Sequence, residues 1–392
     1  MSLLLGRQIL YGWGFICILT LSAYANTQPQ TVEPTTPPQA ASTQKAASLF
    51  KRALYRRRAA KAAARPKTLA QITKDIDLVA DTLSEDDIQK FLRKAGLINQ
   101  KMLNIPKCIM VHKASDGGSF TENLFYIFYY PNCDPHKEKK LMFVVKELKQ
   151  KSAEQELYNL YQLQNSPELR ALGGVKNPNY PQIVFSEDFY RFRTRQGDAK
   201  YILLIHGARG QSLNDIYQNK TRYNRVQAFR TFGNVLGHFS KAFLRGQNCL
   251  LKGGKRVRSC VTINHGDLHP NNVFFDGTYI YFIDTETLAR SLRQRTPLGL
   301  DLIYFYNMPI YFWTRKATPQ RFHERLKLFG GLFRHAKHAY IRVLTNKASE
   351  QKKLGQFIRH YTRNRKVGLQ FIKVAHAFIR ERDQFDSLTK TP

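Results

Sequence analysis

Chemistry is concentrated in Asn264-His265-Gly266-Asp267-Leu268-His269-Pro270-Asn271-Asn272-Val273, followed by Phe282-Ile283-Asp284. This set suits phosphoryl transfer from ATP, a reaction that asks little covalent chemistry of a protein. It needs a carboxylate to orient an attacking hydroxyl and hard oxygen ligands to hold Mg²⁺ on the phosphates. Asp267 fits the first task. Asn272 and Asp284, each beside a short apolar run that reads as a strand, fit the second, and Glu286 is placed to assist the metal through water. A metal cluster built on His265, Asp267 and His269 is the competing reading, but no matching motif supplies a further ligand.

The elements that must position these residues can be read from hydrophobic period. Cys108–Val111 and Leu124–Tyr130 are β-like runs around Asp116-Gly117-Gly118-Ser119, and Leu141–Leu148 is a third strand. Ser152–Leu163 reads as a helix with Leu157, Leu160 and Leu163 on one face. Ile183–Phe185 and Tyr201–Ile205 add strands. Beyond residue 212 the chain reads as mostly helical, apart from short strands near 273–283. Phe229, Phe232, Leu236, Phe239 and Phe243 lie three or four apart, which predicts a helix with a buried face over 224–245. A β-rich segment followed by a helix-rich one predicts an α+β protein of two lobes with a cleft between them.

With these residues in hand, the chain resembles the protein-kinase-like superfamily over about residues 108–305. It resembles in particular the aminoglycoside phosphotransferase, choline kinase and lipopolysaccharide-core kinase branches, in which His-Gly-Asp opens the catalytic loop. The resemblance implies a two-lobed protein-kinase-like fold with a β-rich N-lobe (107–205) and a helical C-lobe (206–392). It also implies ATP and Mg²⁺ as cofactors. Asp267 would be catalytic, and Asn272 and Asp284 would be metal ligands. Gly117, Gly118 and Ser119 are similar to the short glycine loop of that branch. Phe143-Val144-Val145-Lys146 resembles the strand whose lysine holds the nucleotide phosphates, and Glu156 fits the helix glutamate that pairs with it. Leu203-Leu204-Ile205-His206-Gly207-Ala208 is similar to the hinge, where backbone groups near Ile205 and Ala208 would meet adenine. Asp301 stands where the family has an aspartate that braces the catalytic loop. Each piece also has a plainer reading. Gly117-Gly118 alone is a hairpin turn, Lys146 alone is a strand-end lysine, and Glu154 competes with Glu156 as its partner. Thr285-Glu286 follows Asp284 in place of Phe-Gly, and 289–298 is short, so the pattern points away from a regulated protein kinase.

The chain has 392 residues and 62 Lys and Arg against 29 Asp and Glu, a formal net charge of +33. That surplus favours anionic partners, although a basic composition shared across a whole lineage would look the same. Many cations follow the catalytic segment, including Arg290, Arg293, Arg295, Arg315, Arg334, Lys337 and Arg342. An anionic acceptor (phosphorylated sugar, lipopolysaccharide core, lipid headgroup, nucleotide or acidic protein) is therefore favoured over a polycationic aminoglycoside.

Residues 1–25 carry one charge, Arg7, then an apolar stretch ending in Ala23-Tyr24-Ala25, the pattern of a cleaved signal peptide. Residues 26–48 read as a Thr/Pro/Gln/Ala/Ser linker. Residues 49–106 read as a helical extension whose basic stretch 50–67 offers contact to an anionic membrane surface or, less favoured, nucleic acid. Export admits disulfides. Cys108, Cys133, Cys249 and Cys260 remain after cleavage and allow three pairings. Local geometry favours Cys108–Cys133, closing a hairpin, and Cys249–Cys260, stapling a basic loop. Export also raises the question of where ATP would come from. The expected function is an exported phosphotransferase acting where ATP is available, as a secreted bacterial effector would be. The alternatives are a kinase-fold binding protein (pseudokinase) for an anionic ligand or nucleic acid, and an AMP-transferring enzyme on the same fold.

Overall fold

Ile76 and Leu78 alternate with Asp75 and Asp77, so Lys74–Val79 can pair as a strand with one apolar side. This strand opens the sheet of the first of two units in the computed structural model. The structure describes residues 68–98, 108–114, 121–134, 136, 139–167, 169, 172, 177–220, 223–245, 260–291, 295–316 and 318–388. These fall into one unit from 68–157 and 186–207 and another from 158–185 and 208–388. The expected signal peptide, the linker, the basic stretch 50–67, the Gly117-Gly118-Ser119 loop and Cys249 lie outside the described residues.

The first unit is a six-stranded sheet in the order β1-β6-β7-β4-β3-β2. Its strands are β1 (Lys74–Val79), β2 (Ile109–Lys113), β3 (Thr121–Tyr129), β4 (Lys140–Leu148), β6 (Ser186–Arg193) and β7 (Ala199–His206). All neighbours are antiparallel except β1, which joins β6 in parallel. A one-turn helix α1 (Leu69–Ile72) precedes β1, and α2 (Glu85–Lys94) follows it. Ser84 caps α2 by accepting from the Asp87 backbone N–H, and Glu85, Asp86 and Asp87 meet the positive end of its dipole. Ile88, Phe91 and Leu92 of α2 are buried against Val111, Phe125, Phe143, Val145, Tyr190 and Ile202 of the sheet. Residues 68–98, expected to be helical throughout, thus supply an edge strand and the helix that covers the sheet. The strand won because its apolar side chains repeat every second residue, and the sheet had an edge to receive them. Cys108 and Cys133 stand at disulfide distance, at the open end of the β2–β3 hairpin as expected.

Helix α3 (Gln150–Gln164) buries Leu157, Leu160 and Leu163, the predicted face. The second unit has a small sheet in the order β5-β11-β10-β8, formed by β5 (Gln182–Ile183), β8 (Gln211–Ser212), β10 (Val273–Phe275) and β11 (Ile280–Phe282). A two-stranded ribbon joins β9 (Val261–Thr262) to β12 (Thr296–Pro297). Its helices are α4 (Leu213–Tyr217), α5 (Arg225–Ala242), α6 (Glu286–Ser291), α7 (Leu300–Lys316), α8 (Pro319–Leu344), α9 (Ala348–Arg363) and α10 (Arg365–Leu388). Helix α5 buries Phe229, Phe232, Leu236 and Phe239, matching the predicted helix over 224–245. Gly233 and Gly237 let α5 lie directly on α8: a Cβ at Gly233 would run into the Ala336 backbone, and one at Gly237 would come within 2.8 Å of Val343. Phe305 of α7 stacks on Phe232 at 4.4 Å and on Phe329 of α8 at 5.9 Å. This aromatic core fixes α7, whose first turn reaches the candidate site. Among the described residues, no helix is long and apolar enough to cross a membrane.

Candidate active site

The site in the second unit is built on a hairpin. β10 and β11 pair antiparallel with Val273 opposite Phe282 and Phe275 opposite Ile280. That register puts Asn272, just before β10, and Asp284, just after β11, at the same end of the hairpin. The Ile283 N–H donates to the Asn272 carbonyl at 3.1 Å, which continues the ladder to the residue before Asp284. Asp284 itself has φ 61°, in the left-handed region that few non-glycine residues occupy. Such conformations cost free energy and persist where surrounding contacts hold them.

The loop from Asn264 to Asn272 is tied down at both ends. Asp301, in the first turn of α7, accepts the His265 N–H at 2.7 Å and the Gly266 N–H at 2.8 Å on its two carboxylate oxygens. This is the bracing expected for Asp301. Burial pushes its carboxyl up to about 7 despite those two donors. Gly266 has φ +83°, and a Cβ there would collide with the Thr287 side chain, so the turn that presents Asp267 requires glycine. His265 is fully buried and donates Nε2–H to the Ile283 carbonyl at 2.7 Å, tying the loop to the segment that carries Asp284. Burial lowers its pKa, so the ring is held neutral. At the other end, Asn272 Nδ2 donates to the Asp267 carbonyl at 2.9 Å. Asn264 Nδ2 donates to Thr296 Oγ1 at 2.8 Å and anchors the loop's start to β12.

Tyr304, one helical turn after Asp301, donates its hydroxyl to Asp267 Oδ1 at 2.5 Å. Burial and the Asp267 carboxylate push the phenol well above its usual range, so it stays a donor. The sequence reading missed Tyr304. Its signal was the i, i+3 spacing from Asp301, which places both on one face of α7. His269 is partly buried, and burial lowers its pKa to about 4. Its Nδ1 accepts the Asn271 N–H at 3.3 Å.

Asp267, Asn272 and Asp284 are thus brought to one end of one hairpin, with oxygens of the hard kind that Mg²⁺ prefers. The Asn272 amide fits a ligand role: with Nδ2 bound to the Asp267 carbonyl, the amide is turned so that its Oδ1 remains as an acceptor. Glu286 is buried at the start of α6, two residues beyond Asp284. Among the described residues, no group of three or more His, Cys, Asp and Glu side chains is arranged to hold a metal, which leaves the His265–Asp267–His269 cluster without support.

The first unit holds Lys146, Glu156 and Ile205. Lys146 lies on β4 between Leu124 and Leu203 in register and is 6% exposed; Glu156 on α3 is 1% exposed. Strand alternation turns Lys146 to the face opposite Val145 and the α2-covered core. Glu154 is exposed, and the Tyr201 hydroxyl donates to it at 3.4 Å. A buried Lys–Glu pair that was not anticipated lies one residue along β4. Glu147 accepts Lys200 Nζ at 2.9 Å, Asn123 Nδ2 at 2.6 Å and the Leu83 N–H at 3.2 Å. Ile205 sits in β7 opposite Val144 and Ser186, and the Gly207 N–H after it donates to the Met142 carbonyl at 3.1 Å. Ala208 is the first residue of the second unit's long segment.

No protein-family model matches the chain, and no curated protein sequence matches it.

Proposed function

We propose that this protein is an ATP- and Mg²⁺-dependent phosphotransferase of protein-kinase-like type, acting on a hydroxyl of an anionic acceptor. The observation that carries the reading is the β10–β11 register, which sets Asn272 and Asp284 together beside a carboxylate, Asp267, held by Tyr304. In this reading Asp267 orients the acceptor hydroxyl and takes its proton as that oxygen bonds to the γ-phosphorus of ATP and the bond from the γ-phosphorus to the bridging oxygen breaks, releasing ADP. Asn272 Oδ1 and the Asp284 carboxylate would hold Mg²⁺, which would supply charge neutralisation on the phosphates. Lys146 meets nucleotide phosphate, with Glu156 orienting it, and Gly117, Gly118, Ser119, Ile205 and Ala208 serve the nucleotide as the resemblance implies. The surplus of positive charge supports the anionic acceptor. The Cys108–Cys133 pair supports passage through an oxidising compartment after removal of a signal peptide. The basic stretch 50–67 is proposed to contact an anionic membrane surface.

The test compares the chain from Asn26 onward with Asp284→Ala and Asp267→Asn. Mg·ATP binding and transfer of label from γ-labelled ATP to anionic acceptors are expected of the first. Loss of metal-dependent nucleotide binding is expected in Asp284→Ala, and loss of transfer with retained binding in Asp267→Asn. Absence of nucleotide binding by the unaltered chain would overturn the reading in favour of a binding protein. Transfer from α-labelled ATP instead would assign adenylyl transfer.

A further inference from the structure

Helices α8 and α9 carry ten Lys and Arg between them and two acidic residues, Glu324 and Glu350. Glu350 is already engaged, accepting the Thr345 hydroxyl and lying 3.8 Å from Lys347. Between the two helices lies a half-open hollow of about 380 Å³ whose walls include Lys337, Arg342, Lys352 and Arg359, together with His338, and no Asp or Glu. Gly355 of α9 lies against Ile341 of α8 and leaves room for the hollow.

Lys337 is the unusual member. It is 9% exposed, on a helix whose buried neighbours Phe333, Ala336, Tyr340 and Ile341 face the core. Among the described residues no carboxylate forms an ion pair with it. Its surroundings are cationic: burial first, then Arg359, Arg334 and Arg363, lower its pKa. His338 is lowered by burial and by Lys337, Arg342, His335 and Arg334. Burying an ammonium is unfavourable unless an anion meets it, and converging like charges add to the cost. Solvated helix faces avoid both by splaying their lysines outward. Here Lys337 is buried, and the exposed Arg342, Lys352 and Arg359 line the same hollow, an arrangement that a polyanion would neutralise.

We infer that the α8–α9 cavity is a binding site for a polyphosphorylated small molecule or headgroup, gripped by Lys337, Arg342, Lys352 and Arg359. None of these residues is among the proposed catalytic, metal or nucleotide residues, so a failure of the site leaves phosphoryl transfer untouched and a failure of transfer leaves the site untouched. The ligand chemistry is a cluster of phosphomonoesters, whether carried on a free polyol or on a membrane lipid.

The test titrates the full chain at about 0.15 M salt, where charges beyond about 8 Å are largely screened. The probes are inositol hexakisphosphate, inorganic phosphate, and neutral vesicles with and without a polyphosphorylated phosphoinositide. Saturable one-to-one binding of inositol hexakisphosphate is expected, with a rise in Tm. Arg342→Gln/Arg359→Gln, both at exposed positions, should weaken it about tenfold or more. Arg321→Gln, an exposed cation at the start of the same helix, should leave it within about twofold. Lys337→Met should lose binding and melt no lower than the unaltered chain without ligand, because an uncompensated buried charge has been removed. Binding of the soluble probe without the vesicles identifies a free polyphosphate as the ligand, and binding of both identifies a headgroup. No binding at this salt, or equal weakening by Arg321→Gln and the double substitution, would overturn the inference and leave only diffuse surface charge. So would nucleic-acid binding that needs Arg342 and Arg359 but is indifferent to the soluble probe.

Discussion

The hydroxyl of Tyr304 on Asp267 is the contact at this site with the clearest chemical consequence. A donor on Oδ1 stabilises the charged form of the carboxylate and fixes its rotation, which in the proposed reaction would aim it at the acceptor hydroxyl. Tyr304→Phe removes a hydrogen bond to a charged group, worth about 1.5–3 kcal/mol. We expect kcat to fall about tenfold or more with KM for ATP little changed, and the acidic limb of the pH–rate profile to move to higher pH. An unmoved limb in steady-state kinetics would show that Tyr304 only packs. His269 supplies a second residue-scale prediction. Its folded pKa, about 4, lies below the ordinary 6.5, so the folded state resists taking up a proton that the unfolded chain accepts. The stability this contributes is present above pH 6.5 and lost as pH falls towards 4. Against His269→Gln, the unaltered chain should therefore lose stability across that window in urea melts, and a constant difference would refute the assignment.

At the scale of elements, helix α7 does two jobs from one face. Asp301 holds the backbone at His265 and Gly266, and Tyr304 holds the side chain of Asp267. Asp301→Ala leaves two buried N–H groups without their acceptor, at about 1–3 kcal/mol each. We expect a lower urea midpoint and a loss of activity as large as that of Asp267→Asn, because the loop loses its brace. If the midpoint falls while activity persists, the brace serves stability alone. The motif residues of the loop were legible because their types and spacing are local. Asp301 was legible as part of a resemblance. The tyrosine one turn later was not, because its role depends on where α7 lies against the loop. The strand Lys74–Val79 was missed for a similar reason: a six-residue alternation adjoining helical stretches declares itself only when a sheet edge accepts it.

For the whole molecule, the charge surplus and the cysteines bear on where the protein works. The Cys108–Cys133 pair closes a span of 25 residues, and the chain-entropy account gives such a bond about 3 kcal/mol. Replacing both cysteines by alanine should lower thermal stability accordingly in denaturation of the non-reduced chain. Equal melting of the two forms would mean the bond does not form in the purified protein. Of the positive charge spread through the sequence, Lys337, Arg342, Lys352 and Arg359 line one hollow between α8 and α9. A count of Lys and Arg could not distinguish that arrangement from a solvated surface.

Composition, periodicity and local spacing therefore established an α+β chain, the helix over 224–245, the hairpin joined by Cys108 and Cys133, and a His-Gly-Asp loop with Asn272 and Asp284 downstream. Each of these depends on residues close in sequence, where spacing translates directly into a shared face or a shared turn. The tertiary structure decided what holds Asp267, what braces its loop, where residues 74–79 pair and why Lys337 is buried among cations. Those contacts join residues tens of positions apart, and only the packing of helices and strands brings them within hydrogen-bonding or Coulombic reach.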